Sequence, residues 1–233
     1  MSNPSSAPTY SDYVFDHLRA DIVSGALAPR AKLAMKDLST RYKVGLSPIR
    51  EALHRLVGEG FVQFVGQRGF TVPPLSLEDL EDLTALRSLV EEAAVRQAIA
   101  RGDDAWEARI VAAFHRLDLQ VSREMPSFSG ADDVAIARYD AVHRSFHMAM
   151  YAGVVSPRLT ALHANLFDQA FRYRKTLHNQ PLSGEEVLRE HRHLMELVLG
   201  RQADAAVEAL CAHLQLTKQS AQLFMAEQAA RNA

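Results

Sequence analysis

The segment FVQFVGQRGFTVPP, residues 61–74, narrows what this chain can become more than any other stretch. Two β-prone runs flank Gly66-Gln67-Arg68-Gly69, the signature of a hairpin turn. Pro73-Pro74 then stops the second run and begins a linker. Everything after the linker reads as helix. The hairpin therefore closes an N-terminal unit, residues 1–75, and a second, all-helical unit covers 76–233.

Three short helices precede the hairpin. Residues 10–24 place Val14, Leu18 and Ile22 on one face, and Gly25 ends the run. Residues 36–43 place Leu38 and Tyr42 four apart. In VGLSPIREAL, residues 44–53, Ser47 reads as an N-cap with Pro48 at the first helical position. That third helix buries Ile49, Ala52, Leu53, Leu56 and Val57 and runs to about Gly58–Gly60. Three helices followed by a two-stranded hairpin make a winged helix-turn-helix. The third helix then presents Ser47, Arg50, His54 and Arg55 to phosphates or base edges, and Arg68 sits at the wing tip between two glycines. The alternative for Arg50, Glu51 and Arg55 is a solvated face with intrahelical ion pairs.

Beyond the linker, six helices are expected: about 77–101, 104–123, 132–152, 157–176, 184–200 and 203 into the 220s. Ser76, Asp103, Ser156-Pro157 and a Ser183/Glu186 capping box mark starts. They predict an antiparallel helical bundle, so the fold class is mainly α with one small hairpin.

Charge supports the division only weakly. The chain carries net -2, but residues 1–73 hold nine Lys/Arg against six Asp/Glu, and the remainder seventeen against twenty-two. No apolar run approaches the roughly 18–20 residues of a membrane span. The start, MSNPSSAPTY, lacks a secretory pattern, and the lone cysteine, Cys211, permits no internal disulfide. A cytoplasmic protein is expected.

Ten histidines raise a second question. His143 and His147 are four apart on one helix, so both imidazoles share a face. His191 shares a face with Leu188, Leu194, Met195 and Val198, and His213 lies with Ala206, Ala209, Leu210 and Leu216. Three helices could thus bring four imidazoles to one Zn or Ni ion. Hydrogen-bonded core histidines are the bland alternative, and the reading given to His17, His115, His163 and His178 is that or surface exposure. Arg87 and Glu91 are spaced for an ion pair, while Arg172 and Arg174 are further cations on an unresolved helix face.

The segments IVSGALAPRAKL, DLSTRYKVGLSPIREALHRLVGEGFV and GQRGFTV resemble the DNA-binding domain of the GntR superfamily of bacterial regulators. In that family a Pro-hydrophobe-Arg-Glu-Ala-Leu run opens the recognition helix, matched here by Pro48 to Leu53. Many relatives carry Ser-Arg-Thr before that Pro, where this chain has Gly45-Leu46-Ser47. Residues 76–225 resemble the FadR-type, or FCD, ligand-binding domain. The resemblance implies metal ligands at His147, His191 and His213, with His143 standing where relatives carry Asp and Asp140 one turn back. It also implies that Arg87 lines an effector pocket, with Arg172 and Arg174 as candidates. The Val-Gly-Leu-Ser-Pro form resembles the CsiR-like subgroup of glutarate-responsive repressors.

The resulting expectation is a homodimeric repressor on a palindromic DNA operator, modulated by a small carboxylate such as glutarate near a divalent metal. A metal-dependent hydrolase using the same histidines is the rival, but no His-Glu-Xaa-Xaa-His motif occurs.

Overall fold

A computed structural model describes residues 9–129, 131–174 and 183–231, with side chains described throughout except at Asp133, Arg174, 227–229 and Arg231. The chain divides into two compact units, meeting in sequence at Ser76 and Leu77.

In the first unit, α1 spans Tyr10–Val23, α2 Met35–Tyr42 and α3 Leu46–Gly58. Helix α1 begins with a full capping box: the Thr9 side chain accepts from the Asp12 N–H, and the Asp12 carboxylate accepts from the Thr9 N–H. Its buried stripe, Val14, Phe15, Leu18 and Ile22, meets Ile49, Ala52, Leu53 and Leu56 of α3 in one core. Tyr42 closes the third side and donates to Asp21 at 2.7 Å. Strands β1, Gln63–Val65, and β2, Gly69–Thr71, pair antiparallel around a 3-10 turn at Gly66–Arg68. Gly66 and Gly69 both hold positive φ there, a region that a Cβ disfavours. Residues 30–33 add rungs beside β2: the Leu33 N–H donates to the Phe70 carbonyl at 2.8 Å, and the Val72 N–H to Ala31 at 3.0 Å. That edge was not expected, because its residues alternate too little to read as strand.

The start of α3 differs from expectation. Gly45 is the N-cap, Leu46 is the first helical residue, and no side chain caps the end. Ser47 is therefore inside the first turn, and Pro48 is third. The shift costs little, because the first four N–H groups of a helix lack intrahelical acceptors and proline at any of them removes no bond. Ser156, by contrast, does cap: its hydroxyl accepts from the Leu159 N–H at 3.3 Å.

The second unit holds α4 (Leu77–Arg101), α5 (Asp104–Glu124), α6 (Asp133–Met150), α7 (Pro157–Arg174), α8 (Gly184–Leu199) and α9 (Ala203–Arg231). Helix α4 packs on α7 and α9, α5 on α6 and α8, and α8 on α9. Asp103 caps α5, accepting from the Trp106 N–H at 2.7 Å. Ser183 makes no side-chain cap on α8, so the expected capping box is absent there. Helix α9 runs past the 220s because no glycine or proline interrupts it. The core is built on Trp106, Ile110, Leu117, Phe146, Met150 and Val198, all almost fully buried. Trp106 donates to the Met150 carbonyl at 3.1 Å and covers Gly102 so closely that a Cβ there would lie 1.9 Å from the indole ring. Among the described residues, no helix is long and apolar enough to cross a membrane.

Candidate DNA-binding face and candidate metal centre

On the first unit, Ser47, Arg50, Glu51, His54 and Arg55 line one shallow, open concavity on α3. The amphipathic pattern that buries Ile49 and Leu53 leaves these polar side chains outward. Arg50 is exposed and, among the described residues, holds no ion pair. His54 meets the Phe70 ring edge-on at 5.2 Å, which ties the α3 face to the wing. Arg68 is exposed at the wing tip. Arg55 is engaged otherwise: it donates to Asp12 at 2.8 Å and lies 4.2 Å over the Phe15 ring. Hydrogen bonding from Arg55, then from Thr9, draws the Asp12 carboxyl down to about 2.

On the second unit, the four histidines converge. One ring nitrogen from each of His143, His147, His191 and His213 lies within 4.8 Å of all the others. The His147 Nε2 is 3.1 Å from His143 Nε2 and 3.3 Å from His191 Nε2. Three of the rings are buried and His213 is half-buried. The far nitrogens of two of them are engaged. His191 Nδ1 lies 2.6 Å from the Val187 carbonyl, which can only accept, so that nitrogen carries the proton and Nε2 keeps its lone pair. His213 Nδ1 lies 3.3 Å from the Glu190 carboxylate, the arrangement that orients metal-ligating imidazoles. Lone pairs brought this close repel one another unless a proton or a cation sits between them. One proton on His147 Nε2 cannot serve both short contacts well, whereas a divalent ion serves all four nitrogens. The donor set fits Zn or Ni. Asp140 is buried on α6 but is not in this group, whereas His143 is.

The cluster opens into a cavity of about 270 Å³. Arg87, Phe167, Phe171, Arg189, Thr217 and Ser220 are among the residues that line it. Arg87 makes the ion pair its spacing offered: Nε and Nη2 donate to Glu91 Oε1 at 2.8 and 2.5 Å. Glu91 Oε2 accepts from the Tyr151 hydroxyl at 2.7 Å, and His163 packs on the Tyr151 ring with centroids 4.0 Å apart. Burial works to raise the Glu91 carboxyl, but Arg87, His163 and Tyr151 outweigh it and hold it below the usual range. Burial pushes His163 down to about 4, so it is neutral near pH 7.

Arg172 does not line the cavity. It is buried among other groups, and that burial lowers its affinity for its proton. The side chain of Arg174, and all of His178, lie outside the described residues. His193 is exposed, and so are His17 and His115. The sequence reading of His163 as a core or surface histidine does not reveal that it and Tyr151 stand against Glu91. The spacing of His163 to Phe167, one turn on, was the available signal that it faced inward.

Two family models match. The description "Bacterial regulatory proteins, gntR family" covers residues 10–72, and "FCD domain" covers residues 82–216. The chain is 39% identical over 204 residues to the uncharacterised HTH-type transcriptional regulator BphR of Paraburkholderia xenovorans, spanning 86% of this chain and 80% of that protein. It is 35% identical over 201 residues to the HTH-type transcriptional repressor GlaR of Escherichia coli, spanning 84% and 89%. Among solved structures it superposes on E. coli McbR/YncC with a TM-score of 0.74 at 20% identity, over 94% of this chain and 99% of that one. A regulator from Rhodococcus gives 0.69 at 22% identity, over 91% and 97%. At these identities the two structures speak to the fold alone.

Proposed function

This chain belongs to the GntR family of bacterial regulators and carries an FCD domain, and from that premise we propose a repressor whose operator affinity responds to a small carboxylate bound beside a metal. The coarser part is plain: members of this family are DNA-binding transcription regulators and not enzymes. The hydrolase reading of the histidines therefore finds no support.

The single observation that carries the finer reading is the four-imidazole cluster opening into a cavity beside Arg87. His143, His147, His191 and His213 would hold the ion. Bound there, a divalent metal supplies a Lewis-acidic position for a carboxylate. Neutral imidazoles leave its +2 charge uncancelled. The apolar walls formed by Phe128, Phe167 and Phe171 make an anion with an aliphatic middle a better guest than a strongly hydrated one. Glutarate is the first guess, supported by the subgroup resemblance. Arg87 adds hydrogen-bond donors rather than a full charge, because Glu91 already balances it.

For DNA, a homodimer would set two copies of α3 in successive major grooves of a palindromic site in the cytoplasm. Ser47, Arg50, His54 and Arg68 are the proposed contacts, and Arg55 joins them only by leaving Asp12. Arg50→Ala is expected to weaken operator binding by roughly 1–3 kcal/mol if it reads a base, or to lower the salt slope by about one if it holds a phosphate. Fluorescence anisotropy across a salt series checks both. Unchanged affinity and slope would remove Arg50 from the interface.

A further inference from the structure

We propose that Arg189 is the second anchor of the effector: it takes the carboxylate that the metal does not, and makes the cavity selective for short dicarboxylates over monocarboxylates. This rests on the effector reading above and adds to it a residue and a selectivity.

Arginine occurs at two positions in the cavity wall, 87 and 189. Arg87 is a poor partner for a second carboxylate. Two of its N–H groups are directed at Glu91 Oε1, and Glu91 is itself held by Tyr151. Drawing Arg87 away would leave a buried carboxylate without its counter-charge, which is costly. A ligand meeting this pair meets a dipole and a neighbouring negative charge.

Arg189 differs in each respect. It lies on α8 and lines the same cavity as His191. It is exposed, which places it at the rim, and among the described residues it has no ion pair. On α9, Thr217 and Ser220 follow His213 at the spacing of one and two turns, and both line the wall. The cavity wall thus combines buried imidazoles, two hydroxyls and a guanidinium that has no ion pair among the described residues. Glu186 shares that rim, three residues before Arg189 and within helical pairing distance. It is exposed and would compete for Arg189, so a ligand carboxylate has an acidic rival to displace. A planar guanidinium suits that exchange, because it binds a carboxylate through two parallel N–H donors.

The test uses full-length, metal-loaded protein and titration calorimetry with succinate, glutarate, adipate, butyrate and valerate. Wild type should bind its best diacid roughly tenfold more tightly than the matching monocarboxylate. Arg189→Ala should erase that preference while leaving monocarboxylate affinity unchanged, and Arg189→Lys should restore part of it. Glu186→Gln should tighten diacid binding. A diacid preference that survives Arg189→Ala overturns the assignment. Preference lost in Arg189→Ala but kept after metal removal upholds Arg189 and removes the metal from the effector reading. If no carboxylate binds the loaded wild type, the effector reading fails and this assignment falls with it.

Discussion

His147→Ala should lower metal affinity by more than about a hundredfold, since even residues that merely orient a ligand are worth 10- to 100-fold. His147 is the residue to choose because its Nε2 lies close to two other rings, 3.1 Å from His143 Nε2 and 3.3 Å from His191 Nε2. Removing it takes one donor and separates the others. The N-terminal unit has its own core around Leu18, Ile49 and Leu53, so basal DNA binding should persist in the variant. The effector response should disappear with the metal. Metal content after dialysis, set beside operator affinity with and without glutarate, reads all three. A variant with the metal affinity of wild type would remove His147 from the site.

Glu91→Ala should cost about 3–5 kcal/mol of stability in the second unit, among the largest losses available to a single substitution here. The size follows from what is left behind. Glu91 is 1% exposed, and its removal leaves the Arg87 guanidinium buried without its counter-charge and the Tyr151 hydroxyl without its acceptor. Glu91→Gln should cost less, because the amide oxygen can still accept from one of them. The same network gives stability a pH dependence. His163 is held down to about 4, against about 6.5 in an unfolded chain. Between those values the unfolded chain binds the proton and the folded one does not, so stability must fall as pH drops from about 6.5 towards 4. Denaturant melts of metal-free protein across that range check the sign. A flat profile, or a Glu91→Ala variant as stable as wild type, would contradict the buried network.

Much of this architecture could be read before any coordinates. Pro73-Pro74, the Gly66 to Gly69 turn and the stripe of Val14, Leu18 and Ile22 are local signals, and each corresponds to a feature of the fold. Four histidines could be gathered for a similar reason. Their spacing sets which helix face each occupies, and helix faces in a bundle have few places to point. What escaped was pairwise and long-range. Nothing near Glu91 in sequence announces Tyr151, sixty residues away, or His163. Nothing near Arg55 announces Asp12 on another helix. Arg172 was grouped with the effector residues on charge alone, since its helix face could not be resolved from the pattern, and it lies away from the cavity wall. The Ser47 cap failed because glycine too is favoured at an N-cap, and Gly45 two residues earlier takes that place.

The most direct test of the central proposal is operator binding by the full-length protein, titrated with glutarate before and after metal is stripped by a chelator and restored. The account predicts a severalfold change in operator affinity with metal present, none after stripping, and recovery when Zn or Ni is returned. An equal glutarate response in the stripped protein would contradict it.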